Sequence, residues 1–532
     1  MASIFAKKPL AVLLGEANST GHGTLQRTLG AGNLVALGVG AIIGAGLFVR
    51  TAAAAAQASG PAVTLAFILA AFGCVFAGLC YAEFAAMIPI AGSAYTYAYT
   101  TMGEFVAWVI GWALIMEYAL GAATVSIAWS EYLNKLLETA HEHFPAISTI
   151  PYNLSHSPFE HAMINGVAQH GMVNLPALFI IVALSLLLVK GTQESAMFNA
   201  VIVVLKVLIV VVFIAVGWQF INPANHTPYL IPADAVVKNA AGEVVRTYEG
   251  WNKHGLGGVL GGAGIVFFAF IGFDAVSTAA QEARNPKRDM PIGILGSLAI
   301  CTVLYILFGH VLTGVASWRE FADPALGGEA SVAYAIRAHM PGYGWLATAV
   351  TVGILLGFTS VILVMLMGQS RVFFSMAKDG LMPKAFSELH PRFNTPYKSN
   401  LMLMVFVGLF AAFVPGSLAG DLTSFGTLLA FVLVSLGVWI MRKSDPDQPR
   451  PFRAPLSSAS FPLVPIMGAL VCSGLIIGLD SFTLQVALGW MLLGFVVYFL
   501  YGQRNSMLQK GVVVVPTEMD EEAFIKPDSD NR

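Results

Sequence analysis

Three charged residues lie deep inside long apolar stretches of the sequence: Glu117, Lys206 and Asp274. A charged side chain within a membrane-spanning helix is costly, so each is a candidate functional residue. Lys206 lies about ten residues into its stretch, roughly 15 Å deep and near the midplane of a ~30 Å hydrocarbon core. Its stem cannot easily carry the ammonium back to the interface. Because desolvation favours the neutral amine, a lysine at this depth is suited to gaining and losing a proton.

A glycine-rich run at 38–48, GVGAIIGAGLF, lies in the first apolar stretch. Each glycine inside a helix costs about 1 kcal/mol relative to alanine. Gly40 and Gly44 form a GxxxG pair that would let two helices pack closely, but Gly44 and Gly46 point to different faces. The run is therefore either a packing surface or an interrupted helix whose free amides and carbonyls hold a ligand. A dinucleotide loop is excluded because no strand precedes the run.

A second glycine-rich stretch at 261–275, GGAGIVFFAFIGFDA, contains Asp274. This carboxylate is either a functional group or a cap on a helix that resumes after a break. Both interpretations require the helix to break near Ile271-Gly272. Glu117 is expected to pair with Lys206 or with a polar network around it.

The composition is that of a polytopic membrane protein. Of 532 residues, 57% are hydrophobic and 11% are charged, whereas soluble proteins carry about 25% charged residues. The net charge of −2 includes no basic domain, so a nucleic-acid partner is not expected. The four cysteines lie in apolar segments and indicate buried small residues, not a disulfide framework or metal site. No motif calls for a cofactor, and no signal peptide is evident at 1–27.

Apolar runs of spanning length predict twelve helices, two of which (103–134 and 344–376) exceed what a span needs. The predicted spans are 31–55, 62–88, 103–134, 173–190, 196–220, 257–280, 290–316, 344–376, 400–417, 422–441, 461–479 and 485–502. With the N-terminus in the cytoplasm, 20 of the 28 Lys and Arg residues face the cytoplasm, as the positive-inside tendency requires. Both termini are then cytoplasmic, and an inner (plasma) membrane location is expected.

Spans 1–5 and 6–10 each open with a glycine-interrupted helix, and an odd number of spans makes the second set run upside down. Two interrupted helices at corresponding positions of inverted repeats indicate a binding site near the midplane. The predicted regions are a tail (1–30), the first repeat (31–220), a loop with the second repeat (221–442), two further helices (443–503) and a C-terminal tail (504–532). The outside loop at 136–172 is rich in histidine, but its spacing matches no defined metal site.

The two glycine-rich stretches resemble those of the amino acid–polyamine–organocation superfamily, most closely its bacterial cationic amino acid transporter type. Four further stretches carry the resemblance: 83–97, 191–199, 282–291 and 371–383. It implies the leucine-transporter-type fold, a five-plus-five inverted repeat with two extra helices.

The resemblance also implies which residues form the site. The restart of the first helix would receive the substrate carboxylate on its amides; its residues are Ile42, Ile43, Gly44, Ala45 and Gly46. The second break would offer carbonyls at Phe268 and Ala269 to the ammonium, with Ile271 and Asp274 beside it. By resemblance, Lys206 is the proton-coupling residue, next to Thr359 or Ser360, with Glu117 in the same network. Ser93 and Tyr95 would help form an inner gate.

The sequence thus predicts a secondary active transporter that couples the uptake of cationic or broad-range amino acids to protons by alternating access. The expected partners are the amino acid, the proton and the lipid bilayer. A transporter of small neutral amino acids, working by proton coupling or exchange, is the alternative. A membrane amino acid sensor is the alternative from another class, and an enzyme is not expected.

Overall fold

The computed structural model describes residues 3–9, 29–88, 93–164, 167–190, 196–239, 241–280, 283–323, 331–393, 395–456 and 461–511. The final part of the predicted C-terminal tail, 512–532, and residues 1–2 and 10–28 of the predicted N-terminal tail lie outside these residues. So do positions 89–92, 191–195 and 282 of the stretches that carry the resemblance. The described chain is mostly helical. Its α-helices are α1 (Ala31–Ile42), α2 (Thr51–Ala54), α3 (Val63–Met87), α4 (Ser93–Thr101), α5 (Glu104–Leu114), α6 (Gly121–His143), α7 (Leu175–Lys190), α8 (Ala196–Gly217), α9 (Gly255–Val266), α10 (Ala275–Thr278), α11 (Pro286–Val315), α12 (Trp318–Phe321), α13 (Ser331–His339), α14 (Gly344–Lys378), α15 (Tyr397–Phe413), α16 (Gly416–Ser444), α17 (Leu463–Ile477), α18 (Ser481–Val497) and α19 (Gln503–Asn505).

Eight helical stretches among the described residues are long and apolar enough to cross a membrane. They are Gly46–Met87, Glu104–Glu142, Val201–Phe220, Gly255–Thr278, Pro286–Val315, Gly344–Lys378, Gly416–Ser444 and Ser481–Asn505. Four shorter apolar helices, α1, α7, α15 and α17, accompany them. Large apolar side chains such as Val204, Leu470 and Phe499 lie exposed on the outside of the bundle, as expected of surfaces that face lipid and not water. The chain is a polytopic helical membrane protein.

Short π-helical segments join several of these helices. Gly46–Arg50 leads into α2, Ala55–Ser59 follows it, and Ile115–Leu120 joins α5 to α6. A π segment inserts extra residues into a turn and is frequent at functional sites. The segment Ile115–Leu120 contains Glu117, one of the three buried charges.

The turn between α15 and α16 lies earlier than the sequence predicts. The predicted spans 400–417 and 422–441 place it at 418–421, whereas α15 ends at Phe413 and α16 begins at Gly416. Pro415 explains the difference, because proline favours the position just before or at the start of a helix and cannot continue the preceding one. Gly416 and Gly420 both lie within α16.

Two antiparallel hairpins lie in the long loops, β1 (His161–Ile164) with β2 (Val167–His170) and β3 (Val236–Lys238) with β4 (Val244–Thr247). The first loop is fastened to α6, because His156 Nε2 lies 2.9 Å from Glu131 Oε1 and the His156 ring stacks on Tyr152 at 3.7 Å. Partial burial disfavours the charged imidazole and lowers the pKa of His156. The hydrogen bond to Glu131 and the charge of Glu131 have a larger effect, so the pKa of His156 is raised overall. Among the described residues no three His, Cys, Asp or Glu side chains come together as metal ligands would.

Residues 3–9 dock on the end of the bundle where α5 begins. The amides of Glu104 and Phe105 donate to the carbonyls of Ala6 and Ile4, both at 3.0 Å. Lys8 Nζ lies 3.1 Å from Asp379 Oδ1, at the end of α14. These contacts hold the N-terminal segment across the helix ends.

Candidate functional site

The first interrupted helix breaks at Ile43 and Gly44. Helix α1 ends at Ile42, and Ile43 is extended with ψ 102°. Helical hydrogen bonding resumes after the break, where the amides of Leu47 and Phe48 donate to the Gly44 carbonyl at 3.2 and 3.4 Å. Ala45 is already helical, so the break consists of Ile43 and Gly44. The amides that open the second half have no partner within it.

The second interrupted helix breaks where the sequence predicts. Helix α9 tightens into a 3₁₀ turn at Phe267–Phe270, and Ile271 is extended with ψ 136°. Gly272 follows with φ +112°, a conformation that costs glycine little and other residues much. The helix resumes as α10.

The two breaks cross in direct backbone contact. A methyl group on Gly46 would lie 2.2 Å from the Cα of Ala269, and one on Gly272 would lie 3.0 Å from the carbonyl of Ala41. Each break therefore uses a glycine to approach the main chain of the other. Gly38, by contrast, faces Ser297 of α11 and is a packing residue, as its place in the run suggests.

Tyr305 of α11 links the two breaks. Its hydroxyl lies 3.0 Å from the Ile42 carbonyl and 2.9 Å from the Ala269 carbonyl, close enough to donate to either. Both carbonyls end a helical segment and would otherwise lack a partner. Sequence reasoning missed this residue because a tyrosine within an apolar helix carries no distinguishing spacing or charge.

Lys206 lies behind the first break. Its Nζ donates to the Gly40 carbonyl at 2.8 Å, and the side chain is 2% exposed. Its stem packs on Gly357 of α14, where a methyl group would lie 2.9 Å from Lys206 Cε. In the following turn the Thr359 hydroxyl donates to the Leu355 carbonyl at 2.9 Å, and Ser360 is buried. Lys206 thus joins α8, α1 and α14.

Glu117 and Asp274 lie together at the second break. Asp274 Oδ2 accepts a hydrogen bond from the Tyr118 hydroxyl at 2.6 Å, and Glu117 lies next to the same carboxyl group. Both acids are 0% exposed. Asp274 makes no side-chain capping hydrogen bond to α10, so the capping interpretation is not supported. Glu117 therefore lies in a cluster with Asp274 and Tyr118.

All nine predicted substrate-binding residues are buried, and a polar pair follows each break along its half-helix. At one end Tyr95 donates to Asp379 Oδ2 at 2.7 Å, beside Lys8, and Ser277 donates to Ser93 at 3.1 Å. At the other end Arg50 pairs with Asp421 of α16. The site is therefore enclosed between two polar closures.

Comparison with known proteins identifies the family. The amino acid permease family model matches residues 29–511. The branched-chain amino acid permease BcaP of Bacillus subtilis is 39% identical over 96% of this chain and 99% of its own length. The methylthioribose transporter of the same organism is 37% identical over 96% and 100%. The vacuolar cationic amino acid transporter 4 of Arabidopsis thaliana is 33% identical over 82% and 66%.

These relatives are permeases and transporters, which confirms that the chain is not an enzyme. They also confirm the resemblance drawn from the two glycine-rich stretches. The chain belongs to the amino acid permease family of the amino acid–polyamine–organocation superfamily.

Proposed function

We propose that this protein is a proton-coupled amino acid transporter that works by alternating access. The observation that carries the proposal is the pair of crossed helix breaks, enclosed between the Lys8–Asp379–Tyr95 closure and the Arg50–Asp421 closure. An amino acid needs a place for a carboxylate and one for an ammonium. The amides at Gly44–Gly46 suit the carboxylate, and the carbonyls at Phe268 and Ala269 suit the ammonium.

The architecture that fits this function is twelve spanning helices in a five-plus-five inverted repeat. In this arrangement α1 with α2 opens the first repeat, and α9 with α10 opens the second, upside down. The stretch Gly46–Met87 holds the second half of the first span and all of the second. The shorter helices α7, α15 and α17 supply three further spans, with local thinning of the bilayer. The domain boundaries, the inner-membrane location and the cytoplasmic termini follow the same proposal.

Proton coupling is assigned to Lys206. The Lys206 amine is buried and donates to the Gly40 carbonyl, so its charged and neutral forms differ in how well they bind α1. Loss of the proton weakens that hydrogen bond and releases α1 to move. Thr359 and Ser360 follow Gly357, which packs on the lysine stem, within the same turn of α14.

For the substrate we propose amino acids with apolar, branched side chains. The side chains at the breaks are mostly apolar, and the Tyr118 hydroxyl already occupies one oxygen of Asp274. The two BcaP relatives, at 39% and 32% identity, are named as branched-chain permeases. Cationic amino acids are the second candidate, because Glu117 and Asp274 place two buried carboxyl groups at the site.

The test is uptake by purified protein in liposomes. A thermal-shift screen of the twenty amino acids selects substrates, whose uptake is then measured with and without an inward proton gradient. We expect concentrative uptake of leucine, isoleucine or valine by the wild type. Lys206→Met should still show the thermal shift but lose gradient-driven accumulation, while Lys238→Met, which removes an exposed lysine from β3, should behave as wild type.

Four results would contradict parts of this proposal. Gradient-independent exchange by the wild type, or full accumulation by Lys206→Met, would refute proton coupling through Lys206. Preference for arginine or lysine would favour the second candidate substrate. Tight binding without any flux would instead indicate a sensor.

A further inference from the structure

A cavity of about 530 Å³ opens at the start of α11, away from the helix breaks. One wall carries Lys287 and Arg288, followed by Ile292 and Leu295 along the same helix; the facing wall is Phe452 and its neighbour Pro451. The amide of Arg284 donates to the Leu29 carbonyl at 2.8 Å. The cavity is therefore at the end of the bundle where α1 begins.

The segment that forms the facing wall is held in place by hydrogen bonds and ion pairs to a buried carboxylate. Glu83 of α3 accepts from Arg442 Nε at 3.0 Å and from the Ala454 amide at 2.9 Å, and Arg450 Nε lies 3.5 Å from its Oε1. Arg450 and Ala454 bracket Phe452, so the segment is fixed on both sides. Glu83 thereby has a definite role: it holds the wall of this cavity against the bundle.

The other wall changes from charged to apolar along a single helix. Lys287 and Arg288 are exposed, and neither forms an ion pair with any residue that the structure describes. Beyond them the exposed face of α11 is apolar, with Ile292 and Ile300 exposed by 42% and 43%. From residue 288 to residue 296 the helix rises roughly 12 Å. A ligand that fills this cavity meets two cations at one end and hydrocarbon along its length.

We propose that this cavity binds an anionic phospholipid, with the phosphate at Lys287 and Arg288 and an acyl chain along α11 and Phe452. Basic pockets beside membrane helices attract anionic head groups. A soluble anion would use only the cations, and a zwitterionic lipid would gain less from them. The apolar wall continues into the lipid-facing surface of α11, so a lipid can enter sideways from the bilayer.

The test measures lipid retention by the purified full-length protein, using native mass spectrometry after equilibration with phosphatidylglycerol or phosphatidylcholine. The double variant Lys287→Gln/Arg288→Gln removes both cations from the cavity. The control, Lys384→Gln/Arg392→Gln, removes one exposed lysine and one exposed arginine elsewhere. We expect the first variant to lose about thirty-fold in affinity for phosphatidylglycerol, about a factor of five for each charge. The control should retain wild-type affinity.

A second variant and a competitor separate a lipid from a free anion. Ile292→Ser keeps both cations but makes the apolar wall polar, and it should weaken phosphatidylglycerol retention several-fold. Glycerol 3-phosphate should not displace the lipid. Equal retention of phosphatidylcholine, unchanged retention in the double variant, or displacement by glycerol 3-phosphate would each overturn the proposal, the last by indicating a site for small anions.

Discussion

Replacing Gly46 by alanine tests the crossed breaks most directly. In an ordinary helix this change is stabilising by about 1 kcal/mol. Here the new methyl carbon would lie 2.2 Å from the Cα of Ala269 and 2.6 Å from its nitrogen, whereas carbon atoms pack at about 3.5–4.0 Å. The two breaks must therefore separate by more than about 1 Å. Overpacking of this kind typically costs 1–3 kcal/mol.

We expect Gly46→Ala to lose about 2 kcal/mol in the enclosed conformation, which corresponds to about a thirty-fold loss of its population. Thermal unfolding in detergent and amino acid uptake into liposomes both report this loss. Gly489→Ala is the matched control, because a methyl group there meets nothing within 4 Å and it lies in α18, away from the breaks. If Gly46→Ala has the same unfolding temperature and the same uptake rate as Gly489→Ala, the two breaks do not approach each other as closely as described.

Two further perturbations address the tyrosine link and the outside loop. Tyr305→Phe removes the one hydroxyl that can donate to either of two buried carbonyls, so we expect a loss of about 1–3 kcal/mol in stability. Thermal unfolding measures it, and a loss no larger than that of Tyr343→Phe would contradict the link. His156 has a raised pKa in the folded protein, so its contact with Glu131 should contribute fully below about pH 6.5 and fade as the pH rises through that raised pKa. Limited proteolysis of the loop should therefore be faster in His156→Gln than in wild type at pH 5.5, and equal in the two at pH 9. The difference in the stability of the loop should be no more than about 1 kcal/mol. A difference that does not change with pH would contradict this role of His156.

The sequence predicts the breaks and the buried charges because each is costly in an apolar helix and therefore conspicuous. Gly272 and Lys206 are such residues, and the structure has them at the second break and behind the first. The pairing of Glu117 with Asp274 was not predictable, because it depends on how the π segment Ile115–Leu120 rotates its helix. Tyr305 was not predictable for a different reason: it satisfies carbonyls that only the folded backbone brings together.

The contact between the two breaks also limits which amino acid substitutions the protein can tolerate there. The atoms nearest a methyl group on Gly46 are the main-chain Cα and nitrogen of Ala269, which every amino acid possesses. No replacement at 269 can therefore make room for a side chain at 46. A genetic selection for suppressors of Gly46→Ala should return revertants to glycine, or distant changes that shift a whole half-helix, and no compensating residue at the point of contact.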